Sequence, residues 1–395
     1  MKKKIVVLGA TGSIGKQTLD LLRYNKDYEL VGVSFNSNIS KIEEELLYFP
    51  TLKTIAIADN KKAFEFKKNH TAYDVITSDD VNVKLIDLFK DAIIVNALMG
   101  NVGLFSTLKA IENNQILLLS NKESLVIGSK LIKESLKTSK TKIYPIDSEH
   151  VALAKLLTKL KEKGIKKKGI KKLIVTASGG ALRHYPLSKI DDVKKEEVLH
   201  HPTWNMSNKI TIDSATLVNK AYEVIEASIL FDFPLKKVGA IVCEESLIHA
   251  EIIYLENGKE EKIVELSPCD MKVAINYALS FGKEKMHPIW DGDKKILSSL
   301  HIYDVDNKRY PLFEYALSIY AKYKNIGMLV FNHLDSSLIN EYLKDNITFK
   351  DIEKGLKLLP SYLDKLDIEL NATNLKEIEK EATKISSSII KTLKR

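Results

Sequence analysis

The first 120 or so residues alternate short apolar segments with segments of helical spacing, and this alternation constrains the fold more than any other feature of the chain. The strand-like segments are Ile5–Leu8, Leu30–Ser34, Ile55–Ala58, Ala92–Ala97 and Gln115–Leu119, and the helix-like segments are Ser13–Arg23, Ile39–Leu47 and Val102–Asn113. Short apolar strands that alternate with helices indicate parallel pairing. The sequence therefore predicts an α/β fold that begins with a doubly wound, Rossmann-like parallel sheet.

The pattern changes after Ile143, and the rest of the chain divides into two kinds of structure. A second α/β unit is indicated by strand-like segments at Leu173–Ala177, Ala240–Cys243, Ile248–Leu255 and Lys262–Leu266, with an Asn257-Gly258 hairpin signal between the last two. Beyond Lys308 only helical spacing remains, at Tyr310–Tyr323, Ser336–Lys344, Thr348–Leu359 and Asn374–Leu393, with Pro360 separating the last two. The C-terminal part is predicted to be a helical bundle.

The length of 395 residues fits two or three domains of about 150 residues each. We predict an N-terminal domain at residues 1–146, a central α/β domain at 147–290, a linker at 291–307 and a helical domain at 308–395. Hydrophobic residues make up 45% and charged residues 28% of the chain, as in soluble globular proteins. These proportions disfavour a disordered or membrane protein.

Cysteine content and the N-terminus bear on the cellular compartment. Cys243 and Cys269 form no Cys-x-x-Cys pair, which argues against a disulfide framework or a zinc knuckle. The apolar run after Lys2-Lys3-Lys4 stops at Gly9-Ala10, too early for a signal peptide, and no segment reaches the roughly 18 apolar residues of a membrane span. We expect a cytoplasmic protein with no membrane partner.

The net charge of +8 comes mainly from lysine. Specific nucleic-acid surfaces usually use arginine, which makes two-point contacts with phosphate and guanine. The densest basic segment, Lys159–Lys172, contains Gly164 and Gly169 and no aromatic residue. We interpret it as a solvated connection and expect no nucleic-acid partner, although a modest attraction for anionic substrates remains open.

Three glycines lie between the first strand and the first helix, in Gly9-Ala-Thr-Gly12-Ser-Ile-Gly15. Glycines there allow a tight turn and a close approach of the backbone to a pyrophosphate, while the helix N-terminus supplies N–H donors. The spacing is a variant of the usual Gly-x-Gly-x-x-Gly. It predicts a dinucleotide site, and the alternative is a tight strand–helix turn without a ligand.

The end of the second strand favours NADP over NAD. NAD enzymes usually place a carboxylate there to bind the ribose 2′-hydroxyl. Here the segment is Asn36-Ser37-Asn38, which offers hydrogen-bond donors and no negative charge, and Lys41 could add positive charge. The alternative is an ordinary polar loop.

Two acidic residues follow the strand-like run at Ile143. Asp147 and Glu149 are two residues apart, so in an extended segment their carboxylates point to the same side. Paired hard oxygen ligands suit Mg²⁺ or Mn²⁺. The same pattern also occurs in solvent-facing acidic turns, and it predicts a metal site only together with other residues.

Further polar residues follow in three segments, and the first two are a turn and a loop. Ser178-Gly179-Gly180 ends a strand in a turn whose N–H groups and hydroxyl suit a phosphate. The segment His201-Pro-Thr-Trp204-Asn-Met206 places a histidine and a tryptophan on a loop, where Trp204 could cover a ligand or could instead anchor a core.

A helical segment from Asp213 carries a second polar group. Its spacing places Asn219, Lys220 and Glu223 on adjoining faces. Lys220 and Ser214 could bind a phosphate, and Glu223 could be a third carboxylate ligand of the metal. An amphipathic helix with an ion pair is the alternative.

Together these segments resemble the 1-deoxy-D-xylulose 5-phosphate reductoisomerase family. The matching motifs occur in the family's order over about 220 residues: Gly9–Gly15, Asn121-Lys122-Glu123-Ser124, Asp147-Ser148-Glu149-His150, Ser178-Gly179-Gly180, His201-Pro202-x-Trp204 and Asp213 through Asn219-Lys220 to Glu223. The resemblance implies an oxidoreductase and isomerase that uses NADPH and Mg²⁺ or Mn²⁺, acts on a small phosphorylated sugar in isoprene biosynthesis, and forms a homodimer. Residues 1–146 would bind NADPH, and 147–290 would carry catalysis, the metal and dimerisation.

The resemblance also implies roles for individual residues. The residues expected to contact NADPH are Thr11, Gly12, Ser13, Ile14, Asn36, Ser37, Asn38, Asn121, Glu123 and Ser207. The residues expected to bind the substrate are Lys122, Ser148, Glu149, Ser178, His201, Trp204, Ser214, Asn219, Lys220 and Glu223. Asp147, Glu149 and Glu223 would bind the metal, and Lys122, Glu149 and His201 would act in catalysis.

Three positions depart from the family pattern. Ser37 stands where the family often has a basic residue, so the source of positive charge at the NADPH 2′-phosphate is open. Ser207-Asn208 replaces a glycine and a basic residue, and Ala221 replaces a common glycine. Two rival functions remain: a simple NADP-linked dehydrogenase of a phosphorylated or semialdehyde substrate, which needs a nucleophilic cysteine, and a cofactor-sensing or RNA-binding protein that uses the lysine-rich segment.

Overall fold

The computed structural model describes residues 2–204, 206–283, 299–366, 368, 370–371 and 374–394. The chain divides into two units, Met1–Val151 with Asp270–Met286 and Ala152–Cys269 with His287–Arg395. Residues 291–298 of the linker predicted at 291–307 lie outside the described part. No described helix is both long and apolar enough to cross a membrane.

The first unit contains a seven-stranded sheet in which all neighbouring strands are parallel. The strands are β1 Lys3–Leu8, β2 Tyr28–Phe35, β3 Thr54–Ile57, β4 Asp74–Ile76, β5 Ile93–Asn96, β6 Leu117–Leu119 and β7 Ile143–Pro145. Their order is β4-β3-β2-β1-β5-β6-β7. The chain thus reverses its direction of growth at β1, and the switch between β1 and β5 creates the crevice where such sheets bind ligands. The predicted doubly wound sheet is confirmed.

Helices make the crossovers between these strands. They are Ser13–Tyr24, Ile39–Leu46, Asn60–Asn69, Val81–Leu88, Val102–Glu112 and Lys122–Leu136. Ile5, Val6, Val7 and Leu8 of the central strand have no solvent exposure. Their uninterrupted apolar sequence is what a strand covered on both faces requires.

A helix from far along the chain completes this unit. Helix Met271–Leu279 packs on helix Ser13–Tyr24 and on β7. Its Ile275 and Leu279 belong to the same buried core as Ile5, and the Tyr28 hydroxyl donates a hydrogen bond to the Leu279 carbonyl. A later segment therefore stabilises the N-terminal sheet.

The second unit contains a five-stranded mixed sheet. Its strands are β8 Ile170–Ala177, β9 Val238–Cys243, β10 Ile248–Glu256, β11 Lys259–Leu266 and β12 Ile302–Asp304, in the order β11-β10-β8-β9-β12. The β10–β11 hairpin turns at Asn257 and Gly258, both of which have positive φ angles (52° and 82°). This backbone suits the Asn-Gly pair that predicted the hairpin.

The remaining helices belong mostly to the second unit. They are Ser148–Glu162, which begins in the first unit, Lys195–Val198, Asn208–Ala215, Val218–Leu230, Pro311–Leu343, Phe349–Lys357, Pro360–Leu363 and Leu375–Leu393. The helices predicted at Tyr310–Tyr323 and Ser336–Lys344 are parts of the longer run Pro311–Leu343, which is interrupted at Lys324 (φ 53°, ψ −139°). Beyond this break the run enters the core, where Met328 through Phe331 are fully buried.

Candidate active site

The glycine-rich turn follows β1 at the carboxyl edge of the parallel sheet. A Cβ at Gly9 would lie 2.6 Å from the Ala97 carbonyl oxygen, and one at Gly15 would lie 2.2 Å from the Gly9 carbonyl oxygen. These two glycines are required by packing within the protein. A Cβ at Gly12 would meet only the Gly9 oxygen, at 3.2 Å, so Gly12 leaves room for a ligand.

The helix that follows the turn has an N-terminus suited to an anion. Helix Ser13–Tyr24 starts after Gly12 without a side-chain cap from any described residue and without an acidic residue in its first turn. Gly12 and Ser13 are exposed, and Thr11 and Ile14 are half-buried. The first-turn N–H groups and the partial positive charge of the helix therefore favour a phosphate here.

A cavity of about 490 Å³ lies beside the end of β2. Ser37 and Asn38 line it, together with Glu43, with Lys62, Glu65 and Phe66 of helix Asn60–Asn69, and with His70, which follows that helix. Asn36 is exposed, and the Asn38 side chain accepts a hydrogen bond from the Lys41 N–H (3.2 Å), capping the next helix. The sequence does not point to Lys62, because this residue lies in helix Asn60–Asn69, far along the chain from Ser37 and Asn38.

Asn121 and Glu123 shape the loop beside the glycine-rich turn. The Asn121 side chain donates hydrogen bonds to the carbonyls of Leu98 and Gly100 and to the Glu123 carboxylate, and the Gly100 N–H donates to the same carboxylate (3.1 Å). This network fixes the segment after β5, which borders the crevice.

The acidic pair Asp147 and Glu149 lies at the start of helix Ser148–Glu162. The Asp147 carboxylate contacts Lys122 Nζ (3.0 Å) and His150 Nδ1 (2.8 Å) and accepts the Glu149 N–H (3.1 Å). The Ser148 hydroxyl donates to Glu149 (2.6 Å). The extended backbone assumed from the sequence is wrong, because a helix begins at Ser148, but the turn still keeps both carboxylates at one helix end.

In the second unit, His201 joins the turn after β8. Its Nε2 lies 3.0 Å from Ser178 Oγ, and its Nδ1 accepts the N–H groups of Thr203 (3.2 Å) and Trp204 (2.9 Å). Burial, and secondarily the charge of Arg183, lowers the pKa of His201 to about 4. The ring is therefore neutral at pH 7, and the proton sits on Nε2, which donates to Ser178.

The rest of the His201–Met206 loop leads into helix Asn208–Ala215. Trp204 is half-buried and makes an edge-to-face contact with His249, with ring centroids 6.1 Å apart. Ser207 is the N-cap position of the helix, and Asn205 lies outside the described residues. At the other end of this helix, a Cβ on Gly180 would be 2.5 Å from the Ser214 carbonyl oxygen, so Ser214 packs tightly against the Ser178–Gly180 turn.

Helix Val218–Leu230 carries a buried charged group. The Glu223 carboxylate accepts hydrogen bonds from Asn219 Nδ2 (2.6 Å) and from Lys220 Nζ. Lys220 is 4% and Glu223 2% exposed. Charges this deeply buried persist only when they are paired or bind a ligand or metal, so this group is more than the surface ion pair of an amphipathic helix.

The two cysteines are placed poorly for nucleophilic catalysis. Cys243 is fully buried, and the Cys269 thiol donates to the Ser246 carbonyl (3.3 Å). A reactive cysteine is usually exposed and close to positive charge. The dehydrogenase alternative that needs such a cysteine receives no support from this arrangement.

We compared the chain with models of protein families and with known proteins. The model described as 1-deoxy-D-xylulose 5-phosphate reductoisomerase matches residues 5–129, and two models of C-terminal domains of this enzyme match residues 143–231 and 266–385. The reductoisomerase of Thermotoga maritima is 36% identical, with 91% of each chain covered, and that of Bacillus subtilis is 35% identical, with 89% of this chain and 90% of the relative covered. The chain belongs to the 1-deoxy-D-xylulose 5-phosphate reductoisomerase family.

Solved reductoisomerase structures share the fold over the whole chain. A reductoisomerase in complex with NADPH, fosmidomycin and magnesium has a TM-score of 0.88 at 26% identity and covers 100% of this chain and 99% of its own. The Zymomonas mobilis reductoisomerase in complex with NADPH has a TM-score of 0.84 at 27% identity, with full coverage of both chains. The resemblance drawn from the motifs, and with it the assignment to a family of enzymes, is confirmed.

Proposed function

We propose that this chain converts 1-deoxy-D-xylulose 5-phosphate and NADPH to 2-C-methyl-D-erythritol 4-phosphate, with a divalent cation as Lewis acid, in the synthesis of isoprenoid precursors. The observation that carries this proposal is the family match over both the glycine-rich turn and the segments with the buried and half-buried carboxylates. A reductoisomerase with NADPH, fosmidomycin and magnesium and another with NADPH have the same fold, at TM-scores of 0.88 and 0.84.

The residues at the carboxyl edge of the first sheet fit a dinucleotide. The uncapped N-terminus at Ser13 suits the pyrophosphate, and the exposed Gly12, which has no side chain, lets it approach the backbone. Ser37 and Asn38 place no carboxylate against an adenosine 2′-phosphate, and Lys62 in the same cavity offers a positive charge. When bound, NADPH supplies the hydride that reduces the rearranged aldehyde.

Asp147, Glu149 and Glu223 are our proposed ligands of one divalent cation. All three are carboxylates, the hard oxygen ligands that Mg²⁺ and Mn²⁺ prefer. The Asp147 carboxylate pairs with Lys122 and the Glu223 carboxylate pairs with Lys220, so each of these carboxylates already interacts with a positive charge. A divalent cation held by these carboxylates would supply Lewis-acid chemistry for a rearrangement, by polarising a substrate carbonyl and holding a neighbouring hydroxyl.

The polar residues of the second unit suit the substrate. The Ser178 hydroxyl accepts the His201 Nε2–H and the Gly180 N–H (3.1 Å), which leaves its own proton to donate to a substrate oxygen. Ser214, Asn219 and Lys220 are the proposed phosphate-binding residues. Lys122 and Ser148 remain proposed substrate contacts, and Trp204 is proposed to cover the bound substrate.

The neutral state of His201 limits its role. With Nδ1 occupied by two backbone N–H groups and a proton on Nε2, the ring has no free basic nitrogen at pH 7. We propose that His201 orients Ser178 rather than removing a proton. The homodimer implied by the family and the cytoplasmic location expected from the sequence are likewise proposals.

The test is an assay of NADPH oxidation with 1-deoxy-D-xylulose 5-phosphate, run with Mg²⁺ or Mn²⁺ and with a chelator. We expect turnover that stops on chelation and returns when the cation is added back. NADH in place of NADPH serves as the cofactor control. Turnover that survives the chelator would refute the metal role, and no formation of 2-C-methyl-D-erythritol 4-phosphate under any of these conditions would refute the reaction itself.

A further inference from the structure

Three charged side chains meet in the interior of the second unit. Lys209 Nζ lies 2.7 Å from Asp213 Oδ2 and 2.6 Å from Asp335 Oδ2. The side chains of Asp213 and Asp335 are 7% and 1% exposed. Desolvating such charges costs several kcal/mol per ion, and a buried ion pair is therefore weak evidence for stability but can fix one geometry.

One lysine faces two carboxylates in this group, and the three side chains affect one another's pKa values. Burial would lower the pKa of Lys209, but the two carboxylates outweigh it and the net shift is upward. Burial and the neighbouring Asp335 raise the pKa of Asp213. Asp213 Oδ1 is buried with no hydrogen-bond partner among the described residues, and Asp213 Oδ2 accepts a hydrogen bond from Lys209 Nζ.

The position of the three residues links them to the proposed substrate site. Lys209 is in the first turn of helix Asn208–Ala215, directly after the His201–Met206 loop, and Asp335 belongs to the long run Pro311–Leu343. The opposite end of the short helix packs through Ser214 on Gly180. The short helix is thus held at both ends.

We propose that Lys209, Asp213 and Asp335 form a positioning triplet, which fixes helix Asn208–Ala215 and thereby sets Ser214 and the anchor of the His201–Met206 loop for binding the phosphorylated substrate. The triplet connects the C-terminal helical region to substrate affinity. This inference rests on the proposed function, because it concerns the same substrate.

The experiment compares Lys209→Met and Asp335→Asn with Lys209→Arg and with the control Lys195→Met. Lys195 also pairs with an aspartate near the end of the long run, Asp345 at 2.6 Å, but that aspartate is 74% exposed. For each variant we would measure KM for 1-deoxy-D-xylulose 5-phosphate, Kd for NADPH and Tm.

We expect Lys209→Met and Asp335→Asn to raise KM by roughly tenfold or more with NADPH Kd within about twofold of the wild type. Lys209→Arg should recover most of the affinity, since a guanidinium can bridge two carboxylates. Lys195→Met should leave KM unchanged.

The inference would be overturned if the folded variants Lys209→Met and Asp335→Asn had a lowered Tm but a wild-type KM, because the triplet would then only stabilise the fold. Asp335→Asn is the milder change and keeps an oxygen that can accept a hydrogen bond from Lys209, so it tests the idea even if Lys209→Met does not fold. A wild-type chain without turnover would refute the proposed function instead, and the two failures are therefore distinguishable.

Discussion

The Nε2 atom of His201 lies 3.0 Å from the hydroxyl oxygen of Ser178, and two backbone N–H groups of the following loop occupy the other ring nitrogen. The loop conformation therefore determines the tautomer of the histidine. If the loop moves, Nδ1 of His201 loses its two hydrogen-bond donors, and the orientation of Ser178 changes with it.

We predict that His201 is a neutral Nε2–H imidazole from about pH 7 down to about pH 5, because burial favours the uncharged ring. Long-range ¹H–¹⁵N NMR of histidine-labelled protein reports the tautomer, and comparison with His201→Asn assigns the signal among the nine histidines. An imidazolium or an Nδ1–H form at neutral pH would contradict the assignment.

The same shift makes folding stability depend on pH. The pKa of His201 is about 4 in the folded chain against an ordinary value of 6.5, so between these values the unfolded chain binds the proton first. The contribution of His201 to the free energy of unfolding is complete above about pH 6.5. Relative to His201→Asn, the wild type should lose stability as the pH falls from about 6.5 towards 4. Denaturant titrations that show a constant difference across this range would rule the shift out.

Removing one proposed metal ligand should abolish turnover without affecting the cofactor. Asp147→Asn, Glu149→Gln and Glu223→Gln should each lower kcat by more than about 100-fold, since loss of even an outer partner of a metal ligand costs 10- to 100-fold. NADPH binding, measured by fluorescence, should stay close to that of the wild type.

A matched control for these changes is Glu251→Gln. Glu251 pairs with Lys262 in the β10–β11 hairpin, 3.1 Å apart, and its side chain is 12% exposed. This variant should keep its activity and its Mn²⁺ affinity by calorimetry. Full activity in any of the three proposed ligand variants would contradict the ligand set.

Gly12 and Gly15 should respond differently to alanine. A Cβ at position 15 would lie 2.2 Å from the Gly9 carbonyl oxygen, so Gly15→Ala should lower the stability by about 1–3 kcal/mol or more, as overpacked sites do. Gly12→Ala has a closest contact of 3.2 Å and a φ of −78°, which alanine adopts easily. It should keep a near-normal Tm and bind NADPH at least roughly tenfold more weakly, because the methyl group occupies the space of the pyrophosphate. Equal effects on Tm would argue against this division of roles.

Five strands of the first sheet, β1, β2, β3, β5 and β6, could be predicted because each is a short apolar run whose signal is local. Helix Asn60–Asn69 and strand Asp74–Ile76 escaped prediction because their signals are weak: the helix buries only Ala63 and Phe66, and the strand has three residues at the edge of the sheet. Helix Met271–Leu279 joins the first unit through contacts between distant segments, which periodicity does not reveal.

The candidate site shows the same difference between local sequence signals and contacts between distant segments. Motifs such as Asp147-Ser148-Glu149 are contiguous, and the sequence was sufficient to single them out. The partners that determine their electrostatics are not contiguous. Asp335 reaches Lys209 from another helix, and the Thr203 and Trp204 N–H groups that set the tautomer of His201 act through backbone geometry. No residue pattern encodes either relationship.

The cofactor selectivity should depend on Lys62. Lys62 lines the cavity together with Ser37 and Asn38. Its ammonium group forms an exposed ion pair with Glu65, which is 2.7 Å away and three residues further along the same helix. Such a pair contributes little stability, so a 2′-phosphate can compete for the lysine. Lys41 belongs to the neighbouring helix and does not line the cavity.

We therefore expect Lys62→Ala to weaken NADPH binding roughly tenfold, about 1.4 kcal/mol, and to leave NADH binding unchanged, because only NADPH carries the 2′-phosphate. Lys68→Ala, in the last turn of the same helix, is the matched control and should change neither affinity. Fluorescence titrations with both nucleotides give the four dissociation constants. Equal weakening of NADPH binding and NADH binding by Lys62→Ala would show a general effect on the cavity. Because Glu43 and Glu65, which also line this cavity, are acidic, the positive charge at the 2′-phosphate would then have to come from a residue outside it.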